Sequence, residues 1–247
     1  MPAKKSGLTT NTPGNSKART RKLNVLVIDI GGTNVKLLAT GQKEVRKVPS
    51  GPTLTPPEMA RQVKEAVKDW PYDAVSIGYP GPVVHGRPLS DPVNLAPGWV
   101  KFDFRKAFDK PIKIINDAAM QAVGSYKKGR MLFLGLGTGL GSALIVDGVL
   151  QPTELAHLPY KKGKTYEEYL GKNGLKRLGK KKWQKNVFEV VEQLRQALQA
   201  DDVVIGGGNA KNLTDLPPGA RLGSNSNAFI GGFRMWQDEK SGAVEIC

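Results

Sequence analysis

Three glycine turns carry the residues whose types and spacing could do chemistry. Asp29-Ile30-Gly31-Gly32-Thr33 follows the apolar run Val25 to Ile30, and the stretch from Gly135 to Gly141, GLGTGLG, overlaps the end of the run Met131 to Leu136. In both places a run that reads as a buried strand enters the turn and a second β-type run leaves it, so each reads as a hairpin. VVIGGGN at 203–209 again ends a β-type run in glycines. Glycines let backbone N–H groups close on a ligand without obstruction, and a threonine hydroxyl adds a donor, so such turns can cradle phosphate oxygens. One glycine hairpin alone is ordinary strand punctuation. Three together point to a phosphate donor held by Asp29, Gly31, Gly32, Thr33, Lys36, Gly137, Thr138, Gly139, Gly206 and Gly207.

Two common nucleotide folds are excluded. A Walker A loop needs GxxxxGK[ST], and a dinucleotide site needs GxGxxG opening a helix, whereas here Val35, Leu37 and Leu38 continue a strand. Phosphoryl transfer also needs a base near the attacking oxygen. Asp117 is the candidate, because it ends the apolar strand PIKIIN and its carboxylate can reach a cleft at the carboxyl end of a sheet. Asn116 and Asp117 read equally as the cap of a helix running through AAMQAVGSY.

These residues need elements to hold them, and the chain reads as alternating α and β. The segment 55–70 opens with Thr55 as N-cap, Pro56 at the first helical position and Glu58 three residues after the cap, and Met59, Val63, Ala66, Val67 and Trp70 share a face. A strand DAVSIGY, a helix at FDFRKAF and the strand PIKIIN follow. Further on, Val187, Val190, Val191, Leu194 and Leu198 form an apolar helical stripe leading to the strand DDVVIGG. The two hairpins suggest two related halves, with a boundary near residue 115 and a cleft between them.

The chain of 247 residues is long enough for a substantial core, and its single cysteine, Cys247, rules out an intrachain disulfide and any cysteine-clustered metal site. The cytoplasm is the compartment this implies; no apolar run reaches membrane-span length, and no signal-peptide core is present. Net charge is +15 and unevenly spread. Residues 1–22 carry Lys4, Lys5, Lys17, Arg19, Arg21 and Lys22 without an acid and read as a disordered tail. A second basic run at 161–185 contains only Glu167 and Glu168 as acids. It reads either as a solvated face or as an electrostatic track for a polyanion, through Lys176, Arg177, Lys180, Lys181, Lys182 and Lys185.

DIGGT at 29–33, GYPGPV at 78–83, IIND at 114–117, GLGTGLG at 135–141, ELAHLP at 154–159 and IGGGN at 205–209 stand in the order seen in the ROK family of sugar kinases. The resemblance runs from Leu23 to Trp236 and is strongest to the zinc-free lineage of polyphosphate glucokinases. It implies an actin-like, hexokinase-type fold of two α/β domains with an interdomain cleft, here 23–115 and 116–236, followed by a tail at 237–247. It also implies a homodimer that takes glucose as acceptor and polyphosphate, ATP or both as donor, with an ATP-dependent kinase of another hexose as the alternative.

The same resemblance assigns the sugar grip to Asn116, Asp117, Glu154, His157 and Glu167, with Glu168 as a competing choice, and makes Asp117 the base for the sugar 6-hydroxyl. ELAHLP carries Ala156 where the family's ExGH motif has glycine, and alanine takes positive φ less freely. The family's zinc cluster would fall between His157 and Glu167, where the chain reads LPYKKGKTY, so no zinc is expected. Magnesium is expected with the donor phosphates, near Asp29. Two other classes fit the chain less well. A sugar-sensing repressor of this family would carry an N-terminal helix-turn-helix, for which 22 residues are too few, and a nucleic-acid binder would interleave stacking aromatics with its basic runs.

Overall fold

The computed structural model describes residues 23–224, 226–237 and 244–246. The basic tail at 1–22 and Cys247 lie outside the described residues. In chain order the elements are β1 (Val25–Ile30), β2 (Asn34–Ala39), β3 (Arg46–Pro49), α1 (Pro56–Ala66), β4 (Ala74–Tyr79), β5 (Val83–Val84), β6 (Arg87–Pro88), α2 (Phe104–Phe108), β7 (Ile112–Asn116) and α3 (Asp117–Ser125). The chain continues through β8 (Arg130–Leu136), β9 (Leu140–Val146), β10 (Val149–Pro152), α4 (Tyr166–Leu170), α5 (Lys172–Ala197), β11 (Asp202–Gly206), β12 (Ala220–Leu222), α6 (Asn227–Arg234) and β13 (Glu245–Ile246).

Two mixed sheets repeat one topology. The first runs β3-β2-β1-β4-β7 and the second β12-β11-β8-β9-β10-β13. In each, an antiparallel three-strand meander leads through helix to a strand parallel to the meander's first strand, β4 beside β1 and β11 beside β8. Each repeat closes with a helix, α3 or α6. The strands of β1 and β4 are buried throughout, as expected for strands covered on both faces.

Side-chain alternation sorts β1 into two cores. Leu26, Ile28 and Ile30 face the layer holding Met59 and Val63 of α1, while Val25 and Val27 face α3 and α6. Asp29 has the parity of Val25 and Val27, which turns its carboxylate toward the α3 side. In the second sheet Leu132, Leu134 and Leu136 pack with Trp183, Val187, Val190, Val191 and Leu194 of α5, while Met131 and Phe133 join the α3–α6 layer. The result is five layers, helix, sheet, helices, sheet, helix, with α3 and α6 in the middle.

The middle helices cross at glycines. A β-carbon on Gly124 would overlap the Asn227 carbonyl oxygen, and one on Gly231 would overlap that of Met120, so the two backbones touch. Polar bonds pin this pair to both sheets. Ser76 of β4, fully buried, donates to Gly232 O at 2.6 Å and accepts from Trp236 Nε1 at 2.9 Å. The carbonyls at the α3 C-terminus, which have no intrahelical partners, accept from Arg234 (Val123 O, 2.9 Å) and Arg221 (Ser125 O, 2.8 Å).

Helix α1 departs from expectation in one detail. Thr55 is its N-cap but makes no side-chain capping bond, and the Glu58 carboxylate, instead of reaching back to the cap, accepts from Arg61 at 2.7 Å and Gln62 at 2.7 Å. The same T-x-x-E pattern at Thr165 and Glu168 does close as a capping box on α4.

The glycine crossing gives a stability prediction. Gly231→Ala should lower the unfolding free energy by about 3 kcal/mol, because overpacking at a backbone contact must separate the helices. Gly208→Ala, where a β-carbon meets open space, should cost less than about 0.5 kcal/mol. Equal losses in urea titrations of the two variants would show that the crossing is not tight.

Candidate active site

Asp117 is the first residue of α3, and that helix start is inserted between the two sheets. A β-carbon on Gly78 of β4 would overlap the Met120 side chain and lie 3.5 Å from Asp117 Cα; one on Gly141 of β9 would lie 2.6 Å from Ala118 Cβ. Both glycines thus act by having no side chain, which admits Asp117 to the ends of both sheets. Asn116 caps the helix, its Oδ1 accepting from Ala118 N at 2.9 Å and Ala119 N at 3.2 Å, while its Nδ2 donates to Gly81 O at 3.0 Å. One Nδ2 hydrogen remains for a ligand. The two readings of the Asn-Asp pair therefore separate by residue, with Asn116 as cap and the Asp117 carboxylate directed by the helix start, where its Oδ1 accepts from Ala118 N at 2.8 Å.

Three carboxylates converge here. Burial pushes the Asp117 carboxyl up to about 7, and the negative charges of Asp29 and Glu154 push the same way against its bond from Ala118 N–H. Burial also raises the Glu154 carboxyl; His157 opposes this and Glu167 adds to it. Asp29 is paired across the β1–β2 hairpin with Lys36, whose Nζ donates to Oδ2 at 3.0 Å. Its Oδ1 accepts no hydrogen bond among the described residues, so one oxygen is open to a cation. A single such carboxylate suits magnesium held largely by phosphate and water.

The glycine turns divide their labour. Gly31 N donates to Asn34 O at 3.1 Å, closing the first turn, whereas the amides of Gly32 and Thr33 have no backbone acceptor among the described residues. In the second turn Gly137 N bonds Gly139 O at 3.1 Å, and the amides of Thr138 and Gly139 are similarly open. Lys172 N at the start of α5 holds the carbonyls of Gly137 and Thr138 at 3.1 Å, and Asn209 Nδ2 donates to Gly137 O at 2.6 Å, which ties the second turn to the third. Gly206 is buried against the Phe133 ring, 2.6 Å from where its β-carbon would be; the positive φ of Gly207, 82°, turns the chain back past Leu136 and leaves Gly208 facing open space.

Glu167 and Glu168 are separated by the geometry. Glu167 fills the room left by the missing side chain of Gly139, and its Oε2 accepts from Leu140 N at 3.3 Å. Glu168 belongs to the capping box and pairs with Lys164 at 2.7 Å. Glu154 precedes and His157 ends a short 3-10 turn, Leu155–His157; both reach the surface, with the Glu154 carboxyl set on its less solvated side. Ala156 is buried in that turn without positive φ, so the alanine introduces no backbone strain. The segment from Leu158 to Thr165 folds onto aromatic rings, with Tyr160 centred 5.3 Å from Tyr166 and 5.0 Å from Tyr169.

The basic run is less uniform than its sequence. Helix α5 breaks at Gly179 (φ 73°, ψ 159°), so Lys176 and Arg177 lie on one segment and Lys180, Lys181, Lys182 and Lys185 on the next. Arg177 is committed to α4, donating to Glu168 O at 2.8 Å and lying 4.9 Å from the Tyr169 ring centroid. The five lysines are exposed and make no ion pair among the described residues. A pocket of about 240 Å³ lined by Thr138, Lys164, Glu167, Glu168, Asn173 and Arg177 joins the second glycine turn to this run. Two contributors escaped the sequence reading. The Asn94 side chain lies against the first turn, 3.4 Å from a β-carbon at Gly32, and Ser142 of β9 holds the strand-to-turn junction at Glu154.

Residues 25–154 match the sequence profile of the ROK family. The chain is 29% identical over 233 residues to the polyphosphate glucokinase of Mycobacterium tuberculosis strain H37Rv, covering 85% of each chain. It is 28% identical over 222 residues to the polyphosphate glucokinase of Mycobacterium leprae, covering 81% of this chain and 68% of the relative. Among solved structures, the inorganic polyphosphate/ATP-glucomannokinase from Arthrobacter sp. strain KM superposes with a TM-score of 0.72 at 26% identity, over 85% of this chain and 97% of that one. The two-sheet architecture is thus the hexokinase-type fold of two α/β domains.

The raised Asp117 carboxyl has a stability consequence of fixed sign. Its ordinary value is 3.8, so as pH rises from there to about 7 the folded chain keeps a proton that the unfolded chain has lost, and stability falls across that window. Asp117→Asn removes this penalty. At pH 8 the variant should be more stable than wild type by on the order of 2 kcal/mol, and at pH 4 the difference should vanish. Chemical denaturation at the two pH values checks this, and a variant less stable at pH 8 would contradict it.

Proposed function

The chain belongs to the ROK family, and we propose that it is a glucokinase transferring a phosphoryl group from polyphosphate, ATP or both to the 6-hydroxyl of glucose. The observation that carries this reading is the place of Asp117, a carboxylate titrating near neutrality at the helix start where both sheets and their glycine turns converge. A general base works best with a pKa near the operating pH, where it is both ionised and basic.

On this reading each residue takes a role. The open amides of Gly32, Thr33, Thr138 and Gly139, with the two threonine hydroxyls, hold donor phosphate oxygens. Lys36 leans over the first turn on its Asp29 contact. Glu154, His157 and Glu167 hold sugar hydroxyls, and the Asp117 carboxylate accepts the 6-hydroxyl proton as that oxygen attacks the terminal phosphorus. The bond from phosphorus to the bridging oxygen breaks, and the shortened donor leaves. Magnesium, between Asp29 and the donor phosphates, would offset developing charge. A cytoplasmic homodimer is part of the same proposal.

Polyphosphate as donor is supported by the names of the relatives and by the exposed lysines beyond the second turn. ATP ends in a short anion that the turns can hold, whereas a longer phosphate chain continues past them and needs positive charge to follow. Exposed charges contribute little singly and are screened by salt, so their effect is collective.

The test is a coupled assay of glucose 6-phosphate formation with magnesium and either donor. Wild type should form product, and added salt should weaken polyphosphate use more steeply than ATP use. Changing Lys180, Lys181 and Lys182 together to Glu should raise the apparent KM for long polyphosphate by about tenfold or more and that for ATP by less than about twofold. No product with glucose would reject the glucokinase reading; equal losses for the two donors would reduce the lysines to a solvated face.

A further inference from the structure

Glu154 makes no side-chain hydrogen bond among the described residues, and its backbone (φ −123°, ψ 64°) belongs to neither strand nor helix. Its position therefore depends on what holds its neighbours. Both are held by one hydroxyl. Ser142 Oγ donates to Thr153 O at 3.1 Å, accepts from Thr153 Oγ1 at 2.8 Å and accepts from Leu155 N at 3.1 Å. Ser142 is 5% exposed and its partners Thr153 and Leu155 are half-buried, so losing the hydroxyl leaves both with a poorer partner.

The strand that carries Ser142 also meets the start of α3. Successive residues of β9 face opposite sides. Gly141, Ala143 and Ile145 face α3, and a β-carbon on Gly141 would lie 2.6 Å from Ala118 Cβ, while Leu140, Ser142 and Leu144 face the α5 side. Two adjacent residues of one strand thus seat the residue after Asp117 on one face and both neighbours of Glu154 on the other. Strand pairing with β8 and β10 fixes β9 itself, with Ser142 opposite Leu134 and Ala143 opposite Pro152.

We propose that Ser142 is a positioning residue that sets the separation of Glu154 from Asp117, and through it the affinity for the sugar. The inference rests on the reading of Glu154 as a sugar ligand. With Ser142 replaced by alanine, the Leu155 N–H and the Thr153 hydroxyl lose their partner, the 153–155 segment relaxes, and Glu154 no longer meets the sugar hydroxyl at the distance Asp117 requires. The donor turns lie outside this network and keep their geometry.

The test compares wild type, Ser142→Ala, Thr153→Val and Thr153→Ser in the full chain, with glucose and donor varied separately and with amide hydrogen exchange at Leu155 as a second readout. Ser142→Ala should raise the glucose KM about tenfold, with kcat within about threefold and the donor KM unchanged, and should speed exchange at Leu155. Thr153→Val, which removes one of the three bonds, should raise it by a smaller factor, about threefold. Thr153→Ser, which keeps the hydroxyl, should restore the wild-type value. An unchanged glucose KM in Ser142→Ala, or losses shared equally by glucose and donor, would overturn the proposal. Wild type inactive on glucose would sink the glucokinase reading instead, and Leu155 exchange would still decide whether Ser142 holds this segment.

Discussion

The contact between α3 and α6 at Gly124 and Gly231 is the constraint from which the rest of the molecule follows. Two helices whose backbones touch occupy a layer thin enough for sheets on both sides to pack against them, and α3 then reaches both sheets at once. Its C-terminus is fixed by Arg221 and Arg234 and its N-terminus by the Asn116 cap, so the helix can neither slide nor fray at the end that matters. Asp117, at that end, is delivered to the junction of the sheets by packing rather than by a flexible loop. The close crossing belongs to both repeats equally, since α3 closes the first and α6 the second.

Electrostatics at this junction runs against stability. Asp29, Asp117 and Glu154 bring negative charge together in a partly desolvated space, where Lys36 is ion-paired with Asp29 and His157 acts on Glu154. Such an arrangement costs folding free energy above the ordinary carboxylate range and leaves a carboxyl raised to about 7. The fold sustains it because the hydrophobic layers on either side of α3, and the fully buried Trp99 and Trp183 beyond them, are independent of the site.

Much of this was legible in the sequence where the signal is local. The strands at Val25–Ile30 and Met131–Leu136, the α1 face and the α5 stripe follow from apolar periodicity, and the hairpins follow from glycines set between such runs. Family resemblance supplied the expectation of two α/β domains. What periodicity could not show is long-range. Gly78, Gly124, Gly141 and Gly231 look like turn or helix-weakening residues, yet each is required by an atom far along the chain. Thr55 and Thr165 start the same T-x-x-E pattern, yet only the second closes as a box, the Glu58 side chain turning to Arg61 and Gln62 instead. Ser142 reads as one polar residue in an apolar strand, and its three bonds appear only when β9 and the Glu154 turn are brought together. The kink at Gly179 likewise divides a basic run that looks continuous in sequence.

We propose Asp117 as the base at the meeting point of donor turns and sugar grip. Its most direct test is the turnover of Asp117→Asn, measured with saturating glucose and donor in a protein whose folding and glucose binding have been checked. Asparagine keeps the shape and the helix start but cannot take the proton, so kcat should fall by about 10²- to 10⁴-fold while glucose binding stays within a few-fold. A variant that turns over at near the wild-type rate would leave Asp117 as part of the helix start and not the base.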